Sequence, residues 1–558
     1  MQILMALFTV LAPSLVELLP IRVSVYALFL LFAAILTVRI SKTGKIHFSV
    51  FHIILIVLLT YLVLSSFWAN NREGHLRYIV CISTLLFTFS VATDYFAEST
   101  EEKIHRRMLY MIAMSAFLCA LTNIIYWLMY LVPFAKKQSF SQGMGTSDFL
   151  AIFMLVGIGA VVYLIVGNSK LRKRILIPSA LLMFFVFLMA KSVAAWILAI
   201  IVALIFVIGK KSEKVFFIAS ALGASLFFVI LIWLYKGSLS GQLIKDVLSY
   251  AINNPFGYGG GFESAIAFFA TQPYGKNLMI CPLVYLFAAS GLIGVLCALA
   301  VFARNIIVFS KLRTWESLFG VFATTIIFLL PFKYNFAVMF LWLGITAYNE
   351  RSAGLVFKGS FKKETLSKTV FLLGVVMVIS SIMLCHALIC ITADGKFKRG
   401  DYKEAYSLYT SAASINITDS ESCTKAAMSL RKAGKIKENR ELALLLCDKA
   451  IKRNLENSNN FIEKARIYFE CEEYDLALQQ YAILSEKALV NDKYNLEMAK
   501  CYFKIVQRNP KGSSETKRAY EKIQIIAANT ADLDYRKEIN DIADKALVYT
   551  KGEILGGK

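Results

Sequence analysis

Apolar residues recur in blocks of roughly twenty over most of the chain, then give way to a helical alternation of polar and apolar positions. The blocks fall near 2–19, 21–38, 49–67, 78–95, 108–134, 148–167, 175–190, 193–209, 215–235, 278–303, 317–332, 336–348 and 370–392. A helix of about twenty apolar residues spans the hydrocarbon layer of a bilayer. The pattern therefore predicts an all-α polytopic transmembrane helical bundle of about 12–13 spans over residues 1–392. Gln2 to Leu19 reads as a retained first span, because no basic residue precedes it and no small-x-small cleavage pattern follows.

From residue 393 the composition is that of a soluble helical protein. ADGKFKRGDYKEAYSLYTSAASIN reads as a helix–turn–helix with Gly400, Tyr402, Ala405, Tyr409 and Ala412 at helical spacing. Tyr474, Ala477 and Tyr481 repeat it about 72 residues later, or two units of roughly 36, with a degenerate middle unit around Gly434, Ala443 and Ala450. Small residues let paired helices approach and tyrosines fill the gaps. The pattern resembles tetratricopeptide repeats and predicts a soluble helical-repeat (TPR-like) domain over 393–558, a docking surface for a protein partner, with an irregular helical bundle as the alternative.

The longest polar interruption of the apolar part is NNPFGYGGGFESAIAFFATQPYGKN, within a predicted large loop at 236–277. Gly257, Gly259, Gly260 and Gly261 follow Pro255, so the backbone can take positive φ and approach a ligand closely. This loop is the candidate mouth of an active site.

Charge then orients the chain. Of the net charge of +22, much sits in alternate short loops: Arg39, Lys42 and Lys45; Lys103, Arg106 and Arg107; Lys170 to Arg174; Lys210, Lys211 and Lys214; Arg304, Lys311 and Arg313; Arg351 to Lys368. The excess of basic residues on one side predicts a cytoplasmic N-terminus, with the Asn253 loop and the C-terminal domain extracytoplasmic, in a multi-pass protein of the cytoplasmic (inner) membrane. That orientation signal accounts for the basicity without a nucleic-acid partner. The ten cysteines form no CxxC pair and no zinc spacing, so those in the soluble part read as small packing residues, with disulfides as the alternative. The five histidines are scattered, which predicts no metal and no cofactor.

The predicted outer face carries Arg72 and Arg77, Lys136 and Lys137, Lys191, Lys276 and Lys333. Lys191 interrupts FFVFLMAKSVAAWILAI, where a charge costs several kcal/mol, roughly, unless it snorkels or serves a purpose. Snorkelling and a contact to a diphosphate both fit it. Ser147 and Asp148 can cap the apolar helix that follows them, and the Asp148 carboxylate at the outer boundary can equally bind sugar hydroxyls. Glu263 is the sole acid of the glycine-rich stretch and the local candidate for a general base, against the plainer reading of a solvated loop carboxylate.

The order of these features resembles the O-antigen ligase and O-antigen polymerase family of bacterial membrane glycosyltransferases. SSFWANNREGHLR, GMGTSDFLAIFML, AKSVAAWILA, and NPFGYGGGF followed by ASGLIG echo family blocks in the family's order, over roughly residues 50–350. The resemblance implies metal-independent transfer or polymerisation of a glycan from a polyprenyl-diphosphate-linked donor to a glycan or lipid acceptor, in surface polysaccharide biosynthesis of the cell envelope. It also implies a large outward loop over the active site. Where the family has a Ser-Arg pair this chain reads Lys191-Ser192, which passes the basic role to Lys191. The family's loop His-Asn pair falls at Ile280 and Cys281, its acid falls at Ala289, and Lys276-Asn277 replaces the pair if a small insertion is allowed. The expected set is therefore Lys191, Glu263 and Lys276 for catalysis, with Arg72, Arg77, Asp148, Ser192, Pro255, Gly257, Gly259, Gly261 and Asn277 binding substrate. Two alternatives stand beside it. One is a transporter of lipid-linked oligosaccharide; the other is a catalytically altered assembly platform acting through the repeat domain.

Overall fold

The structure is a computed structural model that describes residues 21–69, 71–97, 101–130, 147–166, 170–209, 212–235, 245, 247–249, 251–260, 282–329, 336–434, 436–455, 457–486, 492–530 and 533–550. The chain divides into two compact units, the first ending at Leu384 and the second carrying Cys385–Lys558.

The first unit is built from α1 (Ile21–Thr43), α2 (Val50–Ser65), α3 (Arg72–Ala97), α4 (Glu101–Tyr130), α5 (Ser147–Val166), α6 (Lys170–Met189), α7 (Val193–Gly209), α8 (Glu213–Tyr235), α9 (Pro282–Leu312), α10 (Trp315–Leu329) and α11 (Phe336–Ser352). α12 (Lys363–Arg399) runs from it into the second unit. Among the described residues, five helices are long and apolar enough to cross a membrane: Tyr26–Thr43, Arg72–Ala97, Met108–Ile125, Pro282–Leu312 and Lys363–Arg399. Shorter apolar helices lie at Val50–Ser65, Leu150–Ile165, Arg174–Met189, Val193–Ile205 and Trp315–Phe328. The expected 2–19 span lies outside the described residues.

Apolar side chains cover the outside as well as the inside of this unit. Phe371, Leu372 and Val378 on α12 are 74%, 63% and 60% exposed, and Leu181 and Leu222 are exposed on α6 and α8. Water penalises such surfaces, whereas lipid does not.

The all-α expectation holds, with one short sheet added. Lys45–Phe48 (β1) and Phe357–Ser360 (β2) pair antiparallel, Lys45 opposite Ser360 and Phe48 opposite Phe357. The sheet ties together two of the basic loops. The same end of the unit holds a buried carboxylate, Asp94, whose Oδ2 accepts from Arg39 Nε at 2.8 Å and whose Oδ1 accepts from the His47 amide at 2.9 Å. Arg304 Nε donates to buried Glu350 at 2.7 Å, and Lys311 Nζ donates to the Ala353 carbonyl at 2.5 Å.

In the second unit, the end of α12 is followed by α13 (Tyr402–Ile415), α14 (Ser420–Lys432), α15 (Arg440–Arg453), α16 (Ser458–Glu470), α17 (Tyr474–Glu486), α18 (Asp492–Arg508), α19 (Ser514–Asn529) and α20 (Leu533–Thr550). Each helix packs on the next, and α14 also packs on α16. Residues 72 apart in sequence do the same work: Ala405 and Ala477 are fully buried, as are Tyr409 and Tyr481 to within 2%. Ala393 packs into the same core as Ala405 and Tyr409. The division of the chain falls within α12, whose last turns supply a packing face of the second unit. Cys423, Cys447, Cys471 and Cys501 are free thiols. Burial pushes the Cys501 thiol up to about 12, as befits a packing residue.

Arg431 bridges two carboxylates in this unit: Nε donates to Glu463 Oε1 and Nη1 to Glu470 Oε1, each at 2.6 Å, with the Glu463 side chain 1% exposed. Arg431→Ala strands that carboxylate in the core and should destabilise the unit by about 3–5 kcal/mol. Arg431→Met with Glu463→Leu should lose much less, a contrast that chemical denaturation of the full chain reads directly.

Candidate active site

α9 is broken at Gly291, whose φ of 58° and ψ of −148° are accessible essentially to glycine alone. The break frees backbone groups that a continuous helix would pair with each other. The Leu292 amide would donate to Ala288 in a regular helix; instead it donates to the Pro255 carbonyl at 2.9 Å. The Ala288 carbonyl accepts from Tyr258 N–H at 2.9 Å, and Ala289 accepts from Gly259 N–H at 3.0 Å. The Pro255–Gly260 turn is thus stitched into the gap of a broken helix.

Local chemistry shapes the turn to fit. Asn254 closes it with its own side chain, Oδ1 accepting from Phe256 N–H at 3.2 Å and Nδ2 donating to the Gly257 carbonyl at 3.0 Å. Gly257 and Gly259 take φ of 77° and 85°. A Cβ on Gly257 would meet the Gly291 nitrogen at 2.5 Å, and one on Gly260 would meet Tyr78 Cβ at 2.3 Å. The end of α2 pins the remaining carbonyls: Tyr61 Oη donates to Phe256 O at 2.5 Å and Trp68 Nε1 to Gly257 O at 3.3 Å.

Beneath the turn lies a histidine. His75, on the first turns of α3, accepts the Gly260 amide proton on Nδ1 at 2.8 Å. Its Nε2 therefore carries the proton, which it donates to Leu62 O at 2.7 Å, with Ser65 Oγ 3.2 Å away. The ring is 1% exposed. Both nitrogens serve the backbone, so His75 anchors the turn and is not placed to exchange protons with a substrate.

Tyr78 also lines an apolar groove of about 90 Å³ with Phe51, Leu58, Tyr285, Cys297 and Trp342. Tyr78 and Tyr285 face each other with ring centroids 5.3 Å apart. The groove and the turn therefore share a wall. His75 and Asp94 lie 19 residues apart on α3, or about 28 Å along it, close to a bilayer's hydrocarbon thickness. The turn and the basic sheet end sit at opposite ends of one span-length helix.

A second corner is built on α5 and α7. Ser192 Oγ donates to Asp148 Oδ1 at 2.5 Å and accepts from the Ala195 amide at 3.0 Å, which makes Ser192 the cap of α7. Asp148 lies in the first turn of α5, where its carboxylate accepts from the Ser192 hydroxyl. Lys191 precedes that cap with a left-handed φ of 49° and an exposed side chain. Three expected residues are thus brought together: Asp148, Lys191 and Ser192.

Arg72 is exposed in the first turn of α3, and Arg77 is half-buried further along it. Pro255, Gly257 and Gly259 build the turn as described. Gly261, Glu263, Lys276 and Asn277 lie outside the described residues. Sequence reasoning missed His75, Ser65, Tyr61 and Trp68. The one local signal was a histidine beside the start of an apolar span. It also expected no metal-ligand cluster, yet His386, Cys390 and Asp419 converge in the second unit.

No protein-family model matches the chain, and comparison with curated proteins yields no match.

Gly291→Ala drives a Cβ to 2.0 Å from the Pro255 carbonyl. The turn should detach from α9, seen as rapid proteolysis within 253–260 of the detergent-purified protein. His75→Ala leaves the Gly260 N–H unpaired at about 1–3 kcal/mol, while Leu62 O keeps the Ser65 hydroxyl, and should raise cleavage there less than Gly291→Ala does.

Proposed function

We propose that the chain transfers or polymerises a glycan from a polyprenyl-diphosphate-linked donor at the outer face of a bacterial cytoplasmic membrane. The observation that carries this reading is the wall shared by the apolar groove and the glycine turn, through Tyr78. A slot with apolar walls beside a turn rich in backbone polar groups suits an amphipathic ligand, with its lipid in the slot and its head at the turn. The order of sequence blocks resembling O-antigen ligases and polymerases supports the same class.

Under this reading the basic loops tied by β1 and β2 face the cytoplasm and the turn faces outward, one bilayer thickness away along α3. Lys191, held beside the Asp148–Ser192 pair, would neutralise the diphosphate as it leaves, together with Arg72, Arg77 and Lys276. Proton removal from the acceptor hydroxyl falls to Glu263, since both nitrogens of His75 are committed to the backbone. The second unit, in which successive helices pack on one another, would serve as a TPR-like repeat outside the membrane and dock a protein partner.

Lys191→Ala should cut glycan product by about a hundredfold while the protein stays at normal level in the membrane, and Lys191→Arg should recover part of it. Extracted surface glycan, separated by size, measures the effect. A normal glycan profile from Lys191→Ala would refute the assignment.

A further inference from the structure

We infer that the second unit holds a divalent transition-metal ion, zinc by its donor set, clasped between α12 and α14. The inference is independent of the glycan-transfer reading. His386 and Cys390 lie one turn apart on α12 and so share a face. Asp419, the residue before α14, meets them there, and the three donor atoms all lie within 4.8 Å of one another. All three residues are buried.

The three donors crowd around one point. Asp419 Oδ2 is 2.8 Å from His386 Nε2, and Cys390 Sγ is 3.6 Å from the same nitrogen. A nucleophile with an orienting carboxylate would use opposite ring nitrogens. Here thiol and carboxylate converge on one nitrogen, and the Ser422 hydroxyl donates to the same carboxylate oxygen, Asp419 Oδ2. A metal bound to Nε2 satisfies both thiol and carboxylate.

The distances fit a tetrahedral centre. With Zn–N about 2.0 Å and Zn–S about 2.3 Å, the N···S edge is about 3.5 Å, against 3.6 Å observed. The N···O edge needs the carboxylate to withdraw by about 0.5 Å. Ser422 Oγ, 3.4 Å from Cys390 Sγ, flanks the fourth position. Thiolate and carboxylate together cancel the charge of a divalent ion, which a buried site requires. Outer contacts hold the ligands: the Ser422 amide donates to Asp419 Oδ1 at 3.0 Å, and Arg453 Nη1 donates to the Asp419 carbonyl at 2.8 Å. A nitrogen–sulfur–oxygen set of this kind selects zinc over calcium or magnesium.

The test uses the full chain in detergent, stripped with chelator and titrated with Co²⁺ alone. One equivalent should produce a near-ultraviolet thiolate-to-cobalt charge-transfer band together with intense visible bands of four-coordinate cobalt, and Zn²⁺ should displace both. Bound zinc should also protect Cys390 from alkylation, read peptide by peptide in a mass spectrometer. His386→Ala and Cys390→Ala should each weaken binding by more than about tenfold, whereas Cys385→Ala, on an exposed neighbour, should leave it unchanged. Absence of the charge-transfer band from wild-type protein, or the same band from Cys390→Ala, overturns the site. Should a variant fail to fold, the wild-type spectrum and the alkylation pattern decide alone.

Discussion

The arrangement of the first unit around its candidate site rests on an exchange of backbone hydrogen bonds at Gly291. A helix interrupted inside an apolar environment leaves amides and carbonyls without partners, and lipid offers none. Here the Pro255–Gly260 turn supplies them: Pro255 O takes Leu292 N–H, while Tyr258 and Gly259 give theirs to Ala288 and Ala289. The break and the turn are thus one construction. It needs glycine at 291 for the backbone angles and at 257 for the close approach, and it holds the turn against the wall of the apolar groove.

His75 belongs to this construction rather than to the chemistry. Its two nitrogens bridge Gly260 N–H and Leu62 O, linking the turn to the end of α2. Charge is placed elsewhere, on the corner where Ser192 caps α7 and bonds Asp148, with Lys191 exposed beside it. The division is physically sensible. A buried imidazole with fixed partners makes a good strut, while an exposed ammonium at the end of an apolar helix is free to meet an anionic ligand.

Much of this was legible in the sequence where the signal is periodic or local. Blocks of apolar residues marked the helices, the 72-residue echo of Ala405 and Tyr409 in Ala477 and Tyr481 marked equivalent packing positions, and Pro255 followed by glycines marked the turn. Features made by distant backbone pairing were not legible. Ala288 and Ala289 act through their carbonyls, which no side chain advertises, and His75 meets Gly260 across 185 residues. The four-residue strands β1 and β2 are too short to stand out from their loops. His386 and Cys390 sit on an apolar helix and read as packing until Asp419, 33 residues beyond His386, folds against them.

The central claim is that the protein releases a polyprenyl diphosphate as it passes a glycan to an acceptor. The direct measurement is a reconstituted reaction: full-length protein in vesicles, a polyprenyl-diphosphate-linked oligosaccharide labelled in both lipid and sugar, and chromatographic separation of the two labels. The account predicts that label in the sugar moves to a larger or acceptor-linked product while free polyprenyl diphosphate accumulates in equal amount. Intact donor that merely crosses the bilayer, with both labels still joined, would contradict it.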